Sequence, residues 1–473
     1  MEYRKQQPVL EAGVRIQPRL IIHGGAGNIL RSNFPAEKYA AYRSALLSIV
    51  TKTQTLMNSS SPSTQSPHNE EKNTHPSALE IATHAVLLLE DNPLFNSARG
   101  AVFTRDGVNE LEASVMVSRG LKKRGVGVMG LRRVRNPILL ARAMLEHGED
   151  DLAPAASVPS SSSSSPGASP SLLDDDDVKG NMQGNVDLDV PSAQGHAQLH
   201  GPTAEKLAAK YNLPLVDPSY FFTQQRWDEH VRALEREKSG LSSATWRADE
   251  YLPQGTCGAV ALDAEGVICA ATSTGGMTNK LTGRIGDTPT VGAGFWAEEW
   301  DEDFEADDIA RAEPGISFAG PLKGLLADCF PTPWTYSPSS SSFTPPTTTS
   351  TTRSVGFSGT GNGDSFLRVN AVCTVAAIAR YRPLAGSRAL ARVAGPGGQL
   401  QESAGDRWGR TGEGEGGMIG LECVLERHED GRAVGVRSEV LMAYNCGGMY
   451  RAWIDDEGRP VMSIWSNGSA DEL

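Results

Sequence analysis

The chain has 473 residues, with 44 Lys and Arg against 57 Asp and Glu and a formal net charge of −13. Its basic residues are not gathered into a stripe, which argues against a nucleic-acid partner. The six cysteines, Cys257, Cys269, Cys329, Cys373, Cys423 and Cys446, form no C-x-x-C pair. Neither a zinc site nor a redox motif is therefore indicated, and free thiols, mostly buried, are expected. No apolar run is long enough for a transmembrane helix. The opening Met1-Glu2-Tyr3-Arg4-Lys5 leads into no apolar segment of the signal-peptide kind, and a cytoplasmic location is expected.

In chain order, Leu20-Ile21-Ile22 predicts a short strand that runs into the glycine turn His23-Gly24-Gly25-Ala26-Gly27. Residues 58–76 are rich in Ser, Asn and Pro. Ser77-Ala78-Leu79-Glu80 has the spacing of a capping box. Leu79, Ala82, Val86 and Leu89 then share one helical face, and Pro93 closes the run. Residues 153–185 hold a serine run and an aspartate run, and 203–211 predict a helix. Residues 258–263 and 267–274 predict two strands joined as a hairpin by Ala264-Glu265-Gly266. Residues 331–352 alternate Pro with Ser and Thr, 369–380 predict a helix, 395–417 are rich in Gly and Glu, and 439–444 predict a strand.

The four biased stretches, 58–76, 153–185, 331–352 and 395–417, carry too little apolar area to offset chain entropy and are expected to be mobile insertions. The remainder places helices and strands in blocks with hairpins, which predicts an α+β fold. The glycine turns at His23–Gly27 and Thr360-Gly361-Asn362-Gly363 lack both the dinucleotide fingerprint and the Gly-Lys-Ser/Thr ending of a phosphate loop. They are expected to serve close backbone approach.

The densest stretch is 254–294, QGTCGAVALDAEGVICAATSTGGMTNKLTGRIGDTPTVGAG. It surrounds hydroxyls with small residues and sets Arg284 and Asp287 three apart among glycines. A threonine hydroxyl is a poor nucleophile without a base, and a free α-amine on the same residue can be that base. With a reference pKa of about 7.7–8.0, such an amine keeps a neutral fraction near pH 7.

This stretch resembles the plant-type asparaginase and isoaspartyl-peptidase family of N-terminal-nucleophile hydrolases, which is related to glycosylasparaginase. Similar pieces extend over most of the ordered chain: Ile21 to Gly27, Asn92 to Asn96, Gly100 to Gly107, Asp217 to Phe222, Thr360 to Asp364 and Asn445 to Trp453. The resemblance implies a four-layer αββα sandwich with disordered insertions. It also implies cleavage between Gly255 and Thr256, giving halves 1–255 and 256–473 of one composite domain. Thr256 is then nucleophile and base, Thr274 a second hydroxyl that orients it, and Asn96 the holder of the threonine amine. Arg284 would take the substrate α-carboxylate and Asp287 its α-ammonium, with Thr360 and Gly361 lining the pocket and supplying oxyanion donors.

No cofactor is implied for the reaction. A structural Na⁺ or K⁺ bound by backbone carbonyls of the loop from Leu89 to Gly100 is implied, as is a dimer of cleaved αβ units with no membrane partner. The chain departs from the family pattern at Ser97-Ala98-Arg99 and at Met116-Val117-Ser118, near the cation loop and the pocket rim. The expected substrates are L-asparagine and β-aspartyl peptides, releasing L-aspartate. Two other enzymes stand as alternatives, an asparaginase acting on sugar-linked asparagine and a threonine endopeptidase cutting after aspartate. The run Gly275-Gly276-Met277-Thr278-Asn279-Lys280 resembles the asparaginase branch more than either. From another class, an uncleaved inactive scaffold would not call for the nucleophile and charged pair together.

Overall fold

The computed structural model describes residues 10–59, 73–153, 192–239, 255–302 and 350–465, apart from 12, 383 and 429, with short strand pieces at 61–62, 316–317 and 335–336. The first part of the chain forms β1 (Arg19–Gly27), α1 (Ala36–Met57), α2 (Ala78–Glu90), β2 (Leu111–Val117), β3 (Gly125–Leu131) and α3 (Pro137–Glu146). It continues with β4 (Gln198–His200), α4 (Gly201–Lys210) and α5 (Gln224–Lys238). Past Gly255 come β5 (Cys257–Leu262), β6 (Ile268–Thr274), β7 (Phe295–Glu302), β8 (Ser350–Gly361), α6 (Gly363–Val369) and α7 (Ala371–Tyr381). The last elements are α8 (Gly386–Ala394), α9 (Gln399–Ala404), β9 (Gly416–Arg427), β10 (Ala433–Tyr444), β11 (Gly448–Ile454) and β12 (Pro460–Ser463).

Mixed helix and sheet make this an α+β fold. One sheet runs in the order β12-β11-β1-β5-β6-β2-β3-β4, antiparallel except for β3 with β4. A second, antiparallel sheet runs β10-β9-β8-β7. Side chains alternate along a strand, and β1 uses both faces. Leu20 and Ile22 pack with Leu46 and Val50 of α1, Ala82 and Val86 of α2 and Ile138 of α3. Ile21 turns the other way and joins Val260 and Ile268 against Phe295, Ile419 and Leu421 of the second sheet. The far face of that sheet buries Phe357 and Leu441 with Val375 of α7 and Leu390 of α8. Every side chain of β5 and β6 is buried, as expected of central strands covered on both faces. Among the described residues no helix is long and apolar enough to cross a membrane.

Local signals in the sequence account for several of these elements. Ser77 and Glu80 cap α2 reciprocally, and the Ala78 N–H donates to Asp263 Oδ2 at 2.9 Å, tying the helix start to the β5–β6 turn. The other oxygen of Asp263 accepts from Glu265 and Val267 within that turn, closing the predicted hairpin. The glycine turn at residues 23–27 belongs to β1 itself, with a bulge between His23 and Ala26. The helix predicted at 369–380 is α7, and Asn370, whose φ is +46°, separates it from the preceding α6. Cys257, Cys269 and Cys423 are buried free thiols, and Cys373 and Cys446 are half-buried and free. Cys329 lies outside the described residues.

The structure corrects the expectation that 395–417 is mobile. Leu400 and Ala404 of α9 are fully buried, Gly414 donates to Ser365 Oγ at 2.9 Å, and Glu415 O accepts from Asn362. Gly397, Gly405, Gly409, Gly412 and Gly414 all have positive φ, so these glycines shape left-handed turns around a short helix. The stretch 331–352 is corrected at its end, because residues 350–352 begin the β8 ladder. Within 58–76, strand pieces 61–62 and 73–74 pair with each other, while 60 and 63–72 lie outside the described residues. Beyond residue 153, the stretch 153–185 lies outside them as well.

Glu90 links three of these elements. Its Oε1 accepts from Ser273 Oγ of β6 at 2.7 Å and from the Ile138 N–H of α3 at 3.0 Å. Burial raises its pKa to about 8, so the folded chain keeps a proton that the unfolded chain releases in the ordinary carboxylate range. The stability from that proton is full in acid and is lost as pH rises through about 8. Glu90→Gln keeps the shape without the ionisation. Its melting temperature should gain on the native chain as pH is raised from the ordinary carboxylate range to about 8 and level off beyond it, and a pH-independent difference would contradict this.

Candidate active site

Thr256 stands directly before β5. Cys257 pairs with Ser273 across the β5–β6 ladder, so one step further out Thr256 faces Thr274. Both side chains are buried. Thr256 Oγ1 shares a 3.0 Å hydrogen bond with Thr288 Oγ1. Thr274 Oγ1 accepts from the Gly276 N–H at 3.0 Å, which fixes the turn that follows β6.

Gly255 is held where no side chain fits. A Cβ placed there would lie 2.4 Å from Gly25 Cα, 2.7 Å from Ala26 N and 2.7 Å from Thr360 Oγ1. Gly25 itself has φ +122°, a conformation open to glycine. The glycine turn therefore serves close backbone approach, and what it approaches is the Gly255–Thr256 bond. Thr360 Oγ1 is buried and makes no hydrogen bond. Gly361 follows with φ +146° against Glu415 and Gly416.

Beside this bond, fully buried His23 hydrogen-bonds Ser358 Oγ through Nε2 at 2.6 Å. Burial pushes its pKa down to about 3, against an opposing interaction with the Thr256 backbone. The imidazole is thus neutral at ordinary pH.

Arg284 and Asp287 lie on the turn that ends at Thr288. Arg284 Nη2 is 3.1 Å from Asp364 Oδ1. Asp287 is buried, and Oδ2 has no hydrogen-bond partner. Burial raises its pKa to about 7; Arg284 opposes this, while Glu112 and Asp364 add to it. Both side chains point toward the start of α6, since a Cβ on Gly363 would meet Asp287 Oδ1 at 2.5 Å and Arg284 Nη2 at 3.0 Å. Behind them Glu112 accepts from the Gly286 N–H at 3.2 Å and sits 3.6 Å from Lys280 Nζ.

The structure thus gathers Thr256, Thr274, Gly255 and Thr360 at one end of the central strands, with Arg284 and Asp287 on a connected turn. Asn96 stands apart in its bonding. Its Nδ2 donates to Gly276 O at 2.8 Å and its Oδ1 accepts from the Val102 N–H at 3.0 Å. One donor and one acceptor position of its amide are thus taken by backbone, and Asn96 lines a small cavity with Gly25 and Gly255.

Sequence reasoning missed Thr288, Asp364 and the His23–Ser358 pair. Thr288 adjoins Asp287 in the sequence, but a residue before proline reads simply as extended. Among the described residues no cluster of His, Cys, Asp and Glu could hold a metal ion.

Comparison with known proteins bears on the same region. The sequence model of the family described as "Asparaginase" matches residues 16–157 and 188–301, which include Thr256, Thr274, Arg284 and Asp287. The isoaspartyl peptidase of Escherichia coli is 30% identical over 446 residues, covering 94% of this chain and 95% of that protein. The plant-type L-asparaginase of Pyrococcus furiosus is 30% identical over 285 residues, 59% of this chain and 70% of the relative. The isoaspartyl peptidase/L-asparaginase of Rattus norvegicus is 32% identical over 222 residues, covering 47% and 50%. With Thr256, Thr274, Arg284 and Asp287 inside the matched segments and one alignment running nearly end to end, the chain belongs to the asparaginase family.

Proposed function

We propose that the chain is a threonine amidohydrolase that cuts itself before Thr256 and then hydrolyses L-asparagine or β-aspartyl peptides to release L-aspartate. The observation that carries this reading is the single turn joining the charged pair to the hydroxyl pair. Asp287 precedes Thr288, whose hydroxyl holds Thr256 Oγ1 at 3.0 Å. A substrate gripped by its α-groups is thereby set in register with the nucleophile. The arrangement fits a four-layer αββα sandwich, with 1–255 and 256–473 as the two halves of one catalytic domain, and a dimer of cleaved units.

In self-cleavage, Thr256 Oγ1 adds to the Gly255 carbonyl carbon and the Gly255–Thr256 C–N bond breaks. The hydroxyl proton ends on the freed Thr256 amine. Water then hydrolyses the ester, leaving a Gly255 carboxylate and a free Thr256. In turnover the amine takes the Oγ1 proton as the oxygen adds to the substrate β-carbonyl. It returns that proton to the leaving ammonia or amino acid, and water releases L-aspartate from the acyl-threonine. Thr360 and Gly361 face the developing oxyanion, where fixed dipoles are most effective. Thr274 and Thr288 orient the nucleophile, and Asn96 acts through the 275–276 turn it holds.

Arg284 exchanges Asp364 for the substrate carboxylate, where its planar fork suits two parallel hydrogen bonds. Asp287 takes the ammonium. A Na⁺ or K⁺ in the loop from Leu89 to Gly100 would be held by backbone carbonyls. Pro93 O and Phe95 O converge on Gly100 there, and Arg226 takes Gly100 O at 2.8 Å. Such an ion would order the loop, and the reaction needs no cofactor.

Denaturing electrophoresis tests the first step. The native chain should resolve into fragments meeting between Gly255 and Thr256, and Thr256→Ala should stay whole. Thr288→Val should slow cleavage by about ten- to hundredfold, the worth of leaving a buried hydroxyl unpaired, while Thr288→Ser should restore it. An intact yet active wild type would refute self-cleavage.

The charged pair is tested by kinetics on chains that have already cleaved. Arg284→Lys should lower kcat/KM for both substrates with the fragment pattern unchanged, since the charge remains and the fork does not. Asp364→Asn should lower KM by up to about fivefold, because it removes a half-exposed competitor for Arg284. A raised KM in Asp364→Asn would show that the aspartate assists binding instead.

The ionisation of Asp287 gives a pH test. Below about 7 it gains a proton and loses its attraction for an α-ammonium. Inhibition by added L-aspartate should therefore weaken as pH falls through 7, and the dependence should vanish in Asp287→Asn. Equal inhibition on both sides of that pH would place the ammonium elsewhere.

A further inference from the structure

The first sheet ends at β12 and the second at β10, and the two edges frame a cavity of about 440 Å³. That volume is in the range of small-molecule sites. Its walls include Tyr39, Met442, Tyr444, Trp453 and Trp465, and none of its lining residues belongs to the Thr256 site. Tyr39 and Trp465 stack at 5.9 Å with an interplanar angle of 14°, forming a flat apolar wall.

Arg451 lines the same cavity and is only 5% exposed. It shares one face of β11 with Met449 and Trp453, so it faces the gap between the sheets. Its neighbours do not neutralise it. Nη1 meets Met442 Sδ at 3.1 Å, and Nη2 donates to Ser463 Oγ at 3.1 Å and to Trp465 O at 3.4 Å. Nε and the buried Oη of Tyr444 make no hydrogen bond of good geometry, although the Tyr444 side chain faces the guanidinium, its ring 4.7 Å away. No described carboxylate pairs with Arg451, and no acidic residue lines the cavity. A thioether is a weak acceptor, and a buried charge without a counter-ion is costly.

We infer that this cavity is a second ligand site, one that takes a small aromatic or apolar carboxylate. The carboxylate would face Arg451 and the Tyr444 hydroxyl, and its apolar body would lie against the Tyr39, Trp453 and Trp465 rings. Guanidinium and carboxylate match as planar forks. With no acidic group in the walls, a ligand lacking an ammonium is preferred over a free amino acid. The inference does not depend on the reaction proposed at Thr256.

The probe is 3-phenylpropionate, titrated calorimetrically into the full chain, with the neutral 3-phenylpropan-1-ol as comparison. Binding should saturate at one per chain and persist in saturating L-aspartate, and the alcohol should bind about ten- to hundredfold more weakly. Arg451→Met fills similar space without charge, so it should lose affinity for the acid by a comparable factor while asparagine hydrolysis is unchanged. Should that variant not fold, the acid–alcohol comparison in the native chain decides alone. Equal affinity for acid and alcohol would overturn the site. So would full binding by Arg451→Met, displacement by L-aspartate, or loss of binding at high protein concentration because a second copy covers the cavity.

Discussion

The architecture of the site depends on a missing atom. Gly255 has no Cβ, and only for that reason can the backbone before β5 lie against the Gly25–Ala26 backbone and the Thr360 hydroxyl. Add a methyl group and one of three things must move: β1, the end of β8 or the Gly255–Thr256 bond itself. Gly25 meets the same constraint from the other side with its left-handed φ. The Gly255–Thr256 bond is thus pressed between two sheets by elements distant in sequence, and its neighbouring hydroxyl is held by a third, the turn carrying Thr288.

Around this contact the protein buries ionisable groups whose charge is suppressed. His23, Glu90 and Asp287 are all shifted mainly by burial, each toward its neutral form. They do different work. His23 fills a polar slot beside Thr256 without bringing a charge to it, and Glu90 braces α2, α3 and β6. Asp287, with Arg284 in front and Glu112 behind, is poised so that an arriving cation would complete its ionisation. The raised pKa of Asp287 and the neutrality of His23 beside Thr256 arise from the same lack of water.

Much of this was legible in the sequence where the physics is local. The capping box at Ser77, the hairpin about Ala264 and the small-residue strands 257–262 and 268–274 each depend on neighbours a few positions away. Thr256, Thr274, Arg284 and Asp287 fall in one stretch, and their grouping survives in space. What escaped notice were contacts closed over long distances. Asp364 reaches Arg284 from the start of α6, and Ser358 reaches His23 across two sheets. Asn96 carried an expected role at the threonine amine, and its bonds to Gly276 and Val102 were not part of that reading. The glycines of 395–417 misled for a different reason. Composition cannot separate glycine used for a left-handed turn from glycine used for freedom, and here the turns fold a short helix back onto the Asn362–Ser365 corner.

The order of strands in the first sheet has a topological consequence. Strands that precede Gly255 (β1 to β4) and strands that follow it (β5, β6, β11 and β12) are interleaved, so β1 is bounded on both sides by partners from beyond the bond, and β2 lies against β6. A cut between Gly255 and Thr256 would therefore sever the chain without opening the sheet, since three ladders cross from one piece to the other. The assembled molecule would keep its shape, but its return from denaturant would change order. Joined, the pieces find one another at fixed effective concentration; cut, they must meet by diffusion, and recovery would depend on dilution. The uncut chain can find its fold alone, whereas the cut one would find it again only in company.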